Sequence, residues 1–350
     1  MTSATRATVP ASQAEVTTVN TRTRYARILV PLDGSEVSES ILPWVTELAK
    51  GIGAELALMN VADEPGGTLR SPVESRRVAE YSSGSGAHEE DFRNEFEPVL
   101  VGRPVQRSAD WLKEVAARLA SNGLRVTTTV ETGDPAEGII RIAHLKGCDL
   151  IALGTRGRSA IGRGILGSTT DRVVHASDVP MLIVRSGASI NSLERALVRF
   201  PSTIIAGLDG STLAEGILGT VATLSRQLKV DVRLVRAYPT PRRRLRGAVP
   251  STGVEKTRHA LERETRDYLE VQAAKLRDEG LSVSTDVASG AAESVLLKTA
   301  DRWPGSLLVV GTRGLSGLSR WVVGSVTDRT IRAASGPVLV IPPRLGGAPA

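Results

Sequence analysis

Short, unbroken apolar runs recur along the chain, and each leads into a segment whose apolar positions return every third or fourth residue. Such runs read as strands buried on both faces, and the 3.6-residue period between them reads as amphipathic helix. The first half opens with a strand over Arg27–Leu32 (RILVPL), a helix over Ser38–Lys50 and a strand over Ala54–Val61 (AELALMNV). A variable polar stretch follows. Then come a helix over Ala109–Asn122, a strand in GLRVTTTVETG, a helix over Pro135–Lys146 and a strand in DLIALG. A glycine-rich segment, a helix through Asp171 and Arg172, and a last strand in VPMLIV close the half.

The second half repeats the series. STIIAGL, Thr212–Leu228 and VDVRLVRAY stand for the first strand, helix and strand. Lys256–Asp278, GLSVSTDVASG, Ala292–Arg302, SLLVVG, a helix through Asp328 and Arg329, and GPVLVI complete it. PLDGSEVSESIL from Pro31 matches GLDGSTLAEGIL from Gly207 at an offset of 176, and the glycine segments at Gly154 and Gly311 lie 157 apart. The difference of 19 is extra chain inside the first half. Strands alternating with helices imply parallel sheets with right-handed crossovers. The pattern therefore predicts two α/β domains, over 24–186 and 199–344, with a linker over 187–198 and flexible tails over 1–23 and 345–350. An excursion over about 63–104, partly helical or mobile, holds the extra residues, including the acidic cluster HEEDFRNEFE. Pro180 and Pro337, before the last strands, predict edge strands.

The glycine segments carry the candidate chemistry. GTRGRSAIGRGILGSTTDRVV has Gly154, Gly157, Gly167 and Ser168; GTRGLSGLSRWVVGSVTDRTI has Gly311, Gly314, Gly324 and Ser325 at identical spacing. Each copy starts at the carboxyl end of a strand and finishes at a helix start. Ligands of open α/β sheets bind outside the carboxyl ends of strands. Helix starts offer unpaired N–H groups and a positive dipole end, which favour phosphate. Ser168, Thr169 and Ser325 suit N-cap positions. Arg163 and Arg320 occupy equivalent places inside the loops and could neutralise phosphate charge. Asp33 and Asp209 end the first strand of each half, beside the fourth. A carboxylate there can accept ribose hydroxyls or hold a divalent ion that bridges to phosphate.

Other phosphate motifs are excluded. Ser168 stands where a P-loop needs lysine, and no G-x-G-x-x-G follows either first strand. Glycines after a strand also serve as plain turns. It is the duplication, with equal spacing and a paired aspartate, that favours a nucleotide site. Arg242–Arg244 and Arg246 could meet phosphate, although a solvated basic loop is the simpler reading. The pairs Asp171–Arg172 and Asp328–Arg329 read as helix-surface or interface ion pairs.

Composition narrows the classes. Apolar residues make up 41% and charged residues 23% of 350 residues, ordinary for a globular chain. Aromatics at 3% cannot build base-stacking platforms, and a net charge of +6 is mild, so nucleic acid has no motif behind it. Cys148 is the only cysteine, and its apolar surroundings read as a small buried residue rather than a nucleophile. The histidines are dispersed, without metal-ligand spacing. No apolar run is long enough to span a membrane, and the Thr/Ser/Ala-rich start has no apolar signal core. Cytoplasm is the expected location.

At these residues the chain resembles the universal stress protein family in its tandem two-domain form. The family's motif is G-2x-G-9x-G-[ST], matched by Gly154, Gly157, Gly167 and Ser168 and by Gly311, Gly314, Gly324 and Ser325. VPLDGSEVSESIL and AGLDGSTLAEGIL resemble its strand-one turn. The resemblance implies two Rossmann-like (HUP-type) domains, each a five-stranded parallel sheet of order 3-2-1-4-5 flanked by helices. It implies ATP or another adenine nucleotide at each motif, with Mg or Mn in some members. Asp33 and Asp209 would then contact ribose or metal, Pro31 and Gly207 would line the pocket floor, and Val61 and Ala237 would border the adenine. The glycine loops with Ser168, Thr169, Ser325 and Val326 would hold the phosphates. Pro31 costs the first site a backbone donor. The final strands resemble those through which family domains pair, so the two halves would pair within the chain; a homodimer and a regulatory protein partner are further expectations.

The function expected is that of an ATP-binding stress-response regulator. No nucleophile–base pair stands at the motif, so any hydrolysis should be slow. The alternatives are a slow ATP hydrolase or nucleotidyl-transferring enzyme, and an interaction scaffold without nucleotide.

Overall fold

The computed structural model describes residues 24–62, 89–155, 166–186, 200–240, 251–312 and 323–343. The tails, the linker, residues 63–88, Arg242–Arg244, Arg246, and the loop interiors with Gly157, Arg163, Gly314 and Arg320 lie outside them.

In the first half, β1 (Arg27–Pro31), β2 (Glu55–Ala62), β3 (Val126–Thr132), β4 (Leu150–Thr155) and β5 (Met181–Arg185) pair in parallel in the order 3-2-1-4-5. Their helices are α1 (Glu36–Glu39), α2 (Leu42–Ile52), α3 (Glu89–Ala120), α4 (Pro135–Leu145) and α5 (Ser168–Ala176). The second half repeats this with β6 (Ile204–Gly207), β7 (Val232–Tyr238), β8 (Val283–Ser289), β9 (Leu307–Gly311) and β10 (Val338–Ile341). Its helices are α6 (Thr212–Glu215), α7 (Leu218–Leu228), α8 (Ser251–Asp278), α9 (Ala292–Arg302) and α10 (Ser325–Ala333). The expected fold class is what forms: two Rossmann-like α/β units in tandem.

The halves are not separate bodies. β5 and β10 pair antiparallel, Leu182 opposite Leu339, and join everything into one 10-stranded sheet. Pro180 and Pro337 thus precede central strands, not edge strands. Each half alone would leave its last strand at an edge, and the other half covers that edge. Each proline sits one residue before its strand, where its carbonyl still accepts, from Ile151 N–H at 2.9 Å and from Leu308 N–H at 3.3 Å.

Strand alternation sends Ile28, Val30, Leu56 and Leu58 to one face and Leu29, Ala57 and Met59 to the other. Both cores run across the seam. The first is capped by α2, α3, α7 and α8, the second by α4, α5, α9 and α10. On the first face Tyr25 Oη donates to Thr220 Oγ1 at 3.1 Å, and Gln227 bonds the Tyr25 backbone. On the second, Arg332 lies 3.8 Å from Asp171, and Arg185 donates to the Arg332 carbonyl. Arg172 pairs with Asp134 and Arg329 with Glu293. The Asp-Arg pairs are therefore helix-surface and interface ion pairs.

Three helix expectations change. Ser38–Lys50 is two helices, because Pro43 in the first turn of α2 has no N–H to continue α1. Thr212–Leu228 is likewise divided, at Gly216 and Ile217. The third helix runs from Glu89 rather than Ala109, so the described part of the excursion is helical. The helix continues through Pro98, Gly102 and Pro104.

Candidate functional site

β6 ends at Gly207, and the chain turns outward through Leu208 to Asp209. A local hydrogen-bond pattern fixes that turn. Asp209 Oδ1 accepts from the Ser211 N–H at 2.9 Å and from its hydroxyl at 2.6 Å, and Ser211 caps α6 by accepting from the Ala214 N–H. Gly210 has φ of +92° here, a conformation that glycine adopts without strain.

Next to β6 in the sheet, β9 ends at Gly311, and α10 starts at Ser325 with Gly324 as its cap. Thr327 Oγ1 donates to the Gly311 carbonyl at 2.5 Å, and the Gly324 N–H donates to the Thr312 carbonyl at 2.7 Å. These two bonds hold the start of α10 against the end of β9. No described side chain caps α10, so among the described residues its first turn presents backbone N–H groups without a side-chain partner.

Between these elements lies a cavity of about 300 Å³, at the small end of the range for small-molecule pockets. Gly207, Asp209, Ala237, Gly311, Gly324, Ser325 and Val326, all singled out from sequence, line it together. Leu208, Ala214, Val235, Ala292, Leu296, Val310 and Thr327 line it too, and sequence reasoning passed over them. A signal existed: Val235 and Ala237 share one face of β7 by the two-residue alternation, and Ala292 and Leu296 share one face of α9 by the i, i+4 rule. Apolar side chains thus line the walls near β7 and α9, and backbone N–H groups with hydroxyls line the end at α10. That division suits a flat apolar ring at one end and an anionic group at the other.

The first half has the same skeleton. Asp33 Oδ1 accepts from the Ser35 N–H at 2.9 Å and hydroxyl at 2.6 Å, matching Asp209 and Ser211. Burial pushes the Asp33 carboxyl up, but hydrogen bonds from Ser35 and Ser38 outweigh it and hold it below the ordinary 3.8. Pro31 and Val61 end β1 and border the end of β2, and α5 starts at Ser168 with Gly167 as its cap. Ser168, Thr169 and Ser325 are not N-caps, contrary to expectation. Glycine takes the cap position in both halves, and the hydroxyl residues fall in the first turn.

The glycines differ in what they do. A Cβ on Gly154 would lie 2.2 Å from the Val37 carbonyl oxygen, so close packing of the α1 turn on β4 requires it. Gly167 and Gly324 have φ of −54° and −61°, which any residue adopts. Among the described residues a Cβ on Gly167 would meet nothing within 4 Å, and one on Gly324 would lie 3.3 Å from the Thr312 carbonyl. The backbone angles do not demand glycine at either position, while at Gly324 the close Thr312 carbonyl favours it.

Among the described residues no three His, Cys, Asp or Glu side chains stand together as a metal site. A divalent ion here would take one carboxylate, Asp209 or Asp33, and draw its other oxygens from phosphate and water. That donor set suits Mg²⁺ rather than a softer metal. Cys148 is buried in the second core, and burial pushes its thiol up to about 11, which suits a small core residue rather than a thiolate nucleophile.

Fold and site together define a tandem, doubly wound α/β protein with its cleft at the carboxyl ends of the strands. The model of the universal stress protein family matches residues 24–185 and again 202–342, and the chain belongs to that family. A two-domain universal stress protein of Mycolicibacterium smegmatis is 24% identical over 327 residues, covering 93% of this chain and 100% of its own. Universal stress protein YxiE of Bacillus subtilis is 30% identical over 161 residues, 46% of this chain and 99% of its own. The crystal structure of a universal stress protein from Archaeoglobus fulgidus superposes with a TM-score of 0.62 at 19% identity, covering 91% of this chain and 98% of that one. No described helix is long and apolar enough to cross a membrane.

Proposed function

We propose that this chain is a cytoplasmic, ATP-binding regulator of the stress response, built from domains over 24–186 and 199–344. The observation that carries the reading is the cavity in which Gly207, Asp209, Ala237 and Gly311 meet the uncapped start of α10 at Gly324, Ser325 and Val326. The adenine lies between Ala237 and Leu296, and Asp209 receives the ribose hydroxyls or a Mg²⁺ or Mn²⁺ ion held with the phosphates. The phosphates meet the first turn of α10, and Gly314 and Arg320 of the motif belong to the same phosphate-binding set. A divalent ion would supply charge neutralisation at the phosphates. The chain's own part is to orient the nucleotide, and occupancy then alters its affinity for a regulatory partner.

The test is nucleotide release from the purified full chain, with the released ligand identified by mass spectrometry, followed by calorimetric titration with ATP. Bound adenine nucleotide or micromolar ATP affinity is expected. Neither, in well-folded protein, would leave the nucleotide-free scaffold as the better reading.

A further inference from the structure

We infer that Arg236 is a positioning residue of the nucleotide site, holding the Asp209 turn in place from the side of the sheet opposite the cavity. This rests on the nucleotide reading above and adds a residue that does not line the cavity.

Arg236 stands on β7 between Val235 and Ala237. Those two line the cavity, so strand alternation sends Arg236 to the other face of the sheet. There its guanidinium lies over the Tyr268 ring of α8, 4.5 Å from the ring centroid. It also meets the Asp209 turn. Nη2, Cζ and Nη1 lie 2.6, 2.8 and 3.0 Å from where a Cβ of Gly210 would stand. Three such similar distances set the guanidinium plane, not its edge, against the bare Cα. The group thus fills the layer between the turn and the aromatic ring, and the missing Cβ at Gly210 makes room for it.

Tyr268 is itself fixed. Its Oη donates to Glu215 Oε1 at 3.0 Å, and Gln272 Nε2 donates to the same oxygen at 3.0 Å. Burial, with Glu215 beside it, pushes the Tyr268 hydroxyl above its ordinary 10, and the nearby Asp209 carboxylate adds to the push. The hydroxyl therefore stays protonated and keeps its bond. Glu215 ends α6, and the cap of α6 is Ser211, which donates to Asp209. From Asp209 the contacts run through α6 to Tyr268 and return through Arg236 to Gly210, the neighbour of Asp209.

The first half supports the same turn from the same place by other means. Pro31 lies opposite Met59 and Gly207 opposite Val235, so Asn60 stands for Arg236. Asn60 is buried, and its Nδ2 donates at 2.8 Å to the carbonyl of Leu32, the residue before Asp33. Trp111 stands for Tyr268 at the repeat offset of 157. Its Cζ2 lies 4.0 Å from where a Cβ of Gly34 would stand, so the larger indole reaches the turn directly. Two different side chains at one strand position serve one turn, which marks the position as its support. A planar guanidinium suits the layer in the second half, whereas the point charge of lysine does not.

Calorimetric titration of the full chain with ATP tests this, in a double-mutant cycle with Asp209→Ala. Arg236→Ala should weaken ATP binding about fivefold, within the coupling range of residues in contact. In the Asp209→Ala background the same change should leave affinity as it is, because no carboxylate remains to be positioned. An arginine with a merely structural role would act on affinity equally in both backgrounds or in neither, and either result would overturn the inference. Arg236→Lys keeps the charge without the plane and should match Arg236→Ala; full affinity in it would overturn the role given to the planar group. Thermal unfolding selects folded material. If Arg236→Ala does not fold, Tyr268→Leu removes the backing ring and enters the same cycle with the same expectations. No ATP binding by the unmodified chain overturns the nucleotide reading and this inference with it, whereas an unaffected Arg236→Ala overturns the inference alone.

Discussion

Ser211 donates twice to one oxygen of Asp209, from its backbone at 2.9 Å and from its hydroxyl at 2.6 Å. The pair locks the carboxylate at the mouth of the cavity before any ligand arrives, and a pre-set acceptor loses little freedom on binding. Asp209→Ala should therefore weaken ATP binding by at least tenfold, about 1.4 kcal/mol. Ser211→Ala removes the orienting hydroxyl and the α6 cap together. It should cost about 1 kcal/mol of stability and a smaller loss of affinity. Calorimetry and thermal unfolding separate the effects. Unchanged affinity in Asp209→Ala would remove this carboxylate from the site.

Much of this was legible in sequence. The series of strands and helices followed from the apolar runs and the repeat, the strand order from the family resemblance, and the cavity lining in part from the spacing of Gly311 and Gly324 and from Asp209. What escaped was of two kinds. Pro180 and Pro337 read by themselves as edge-strand markers, and only the family resemblance pointed to the β5–β10 seam, because that pairing joins residues over a hundred positions apart. Gly154 and Gly167 look alike in the motif, yet one is required by the Val37 carbonyl and the other meets no described atom. Only coordinates separate the two.

Asp33 makes the fold sensitive to acid. Its folded pKa is depressed below the ordinary 3.8, so the folded state holds its proton less tightly than the unfolded chain. The associated stability is present above the unfolded value and is lost as pH falls through the folded one. Melting temperature should drop on acidification below about pH 4, and Asp33→Asn should flatten part of that drop while lowering stability at pH 7. A variant that keeps the full acid dependence would show that other carboxylates carry it.

The halves should unfold together. Trp44 of α2 packs edge-on against Phe200 at 4.9 Å between ring centroids, and both cores cross the β5–β10 seam. Trp44→Ala should cost about 3–5 kcal/mol, read by denaturant unfolding as a single transition moved to lower midpoint. Two separate transitions in the unmodified chain would contradict a shared core.

Cys148 gives an independent clock for opening of the second core. With its thiol pushed up to about 11 and its side chain buried, alkylation at pH 8 should be slow in the native protein and fast in denaturant. Saturating ATP should slow it further if the nucleotide stabilises the same core. Rapid native labelling, measured by mass, would place the thiol at the surface.

Gly207 allows the cavity to be closed from within. A Cβ there meets only the far end of Leu296, a side chain that can move into the empty space in front of it. Gly207→Val should therefore keep the fold, with a melting temperature within a few degrees of the parent, since relaxation of one leucine rotamer costs about 1 kcal/mol. It should nevertheless reduce ATP affinity by at least a hundredfold, because the space that Leu296 enters is the space the base needs. The two readouts must part company for the argument to hold. If Gly207→Val binds ATP as tightly as the parent, the base does not sit between Ala237 and Leu296, and the nucleotide must be sought elsewhere along the carboxyl ends of the strands.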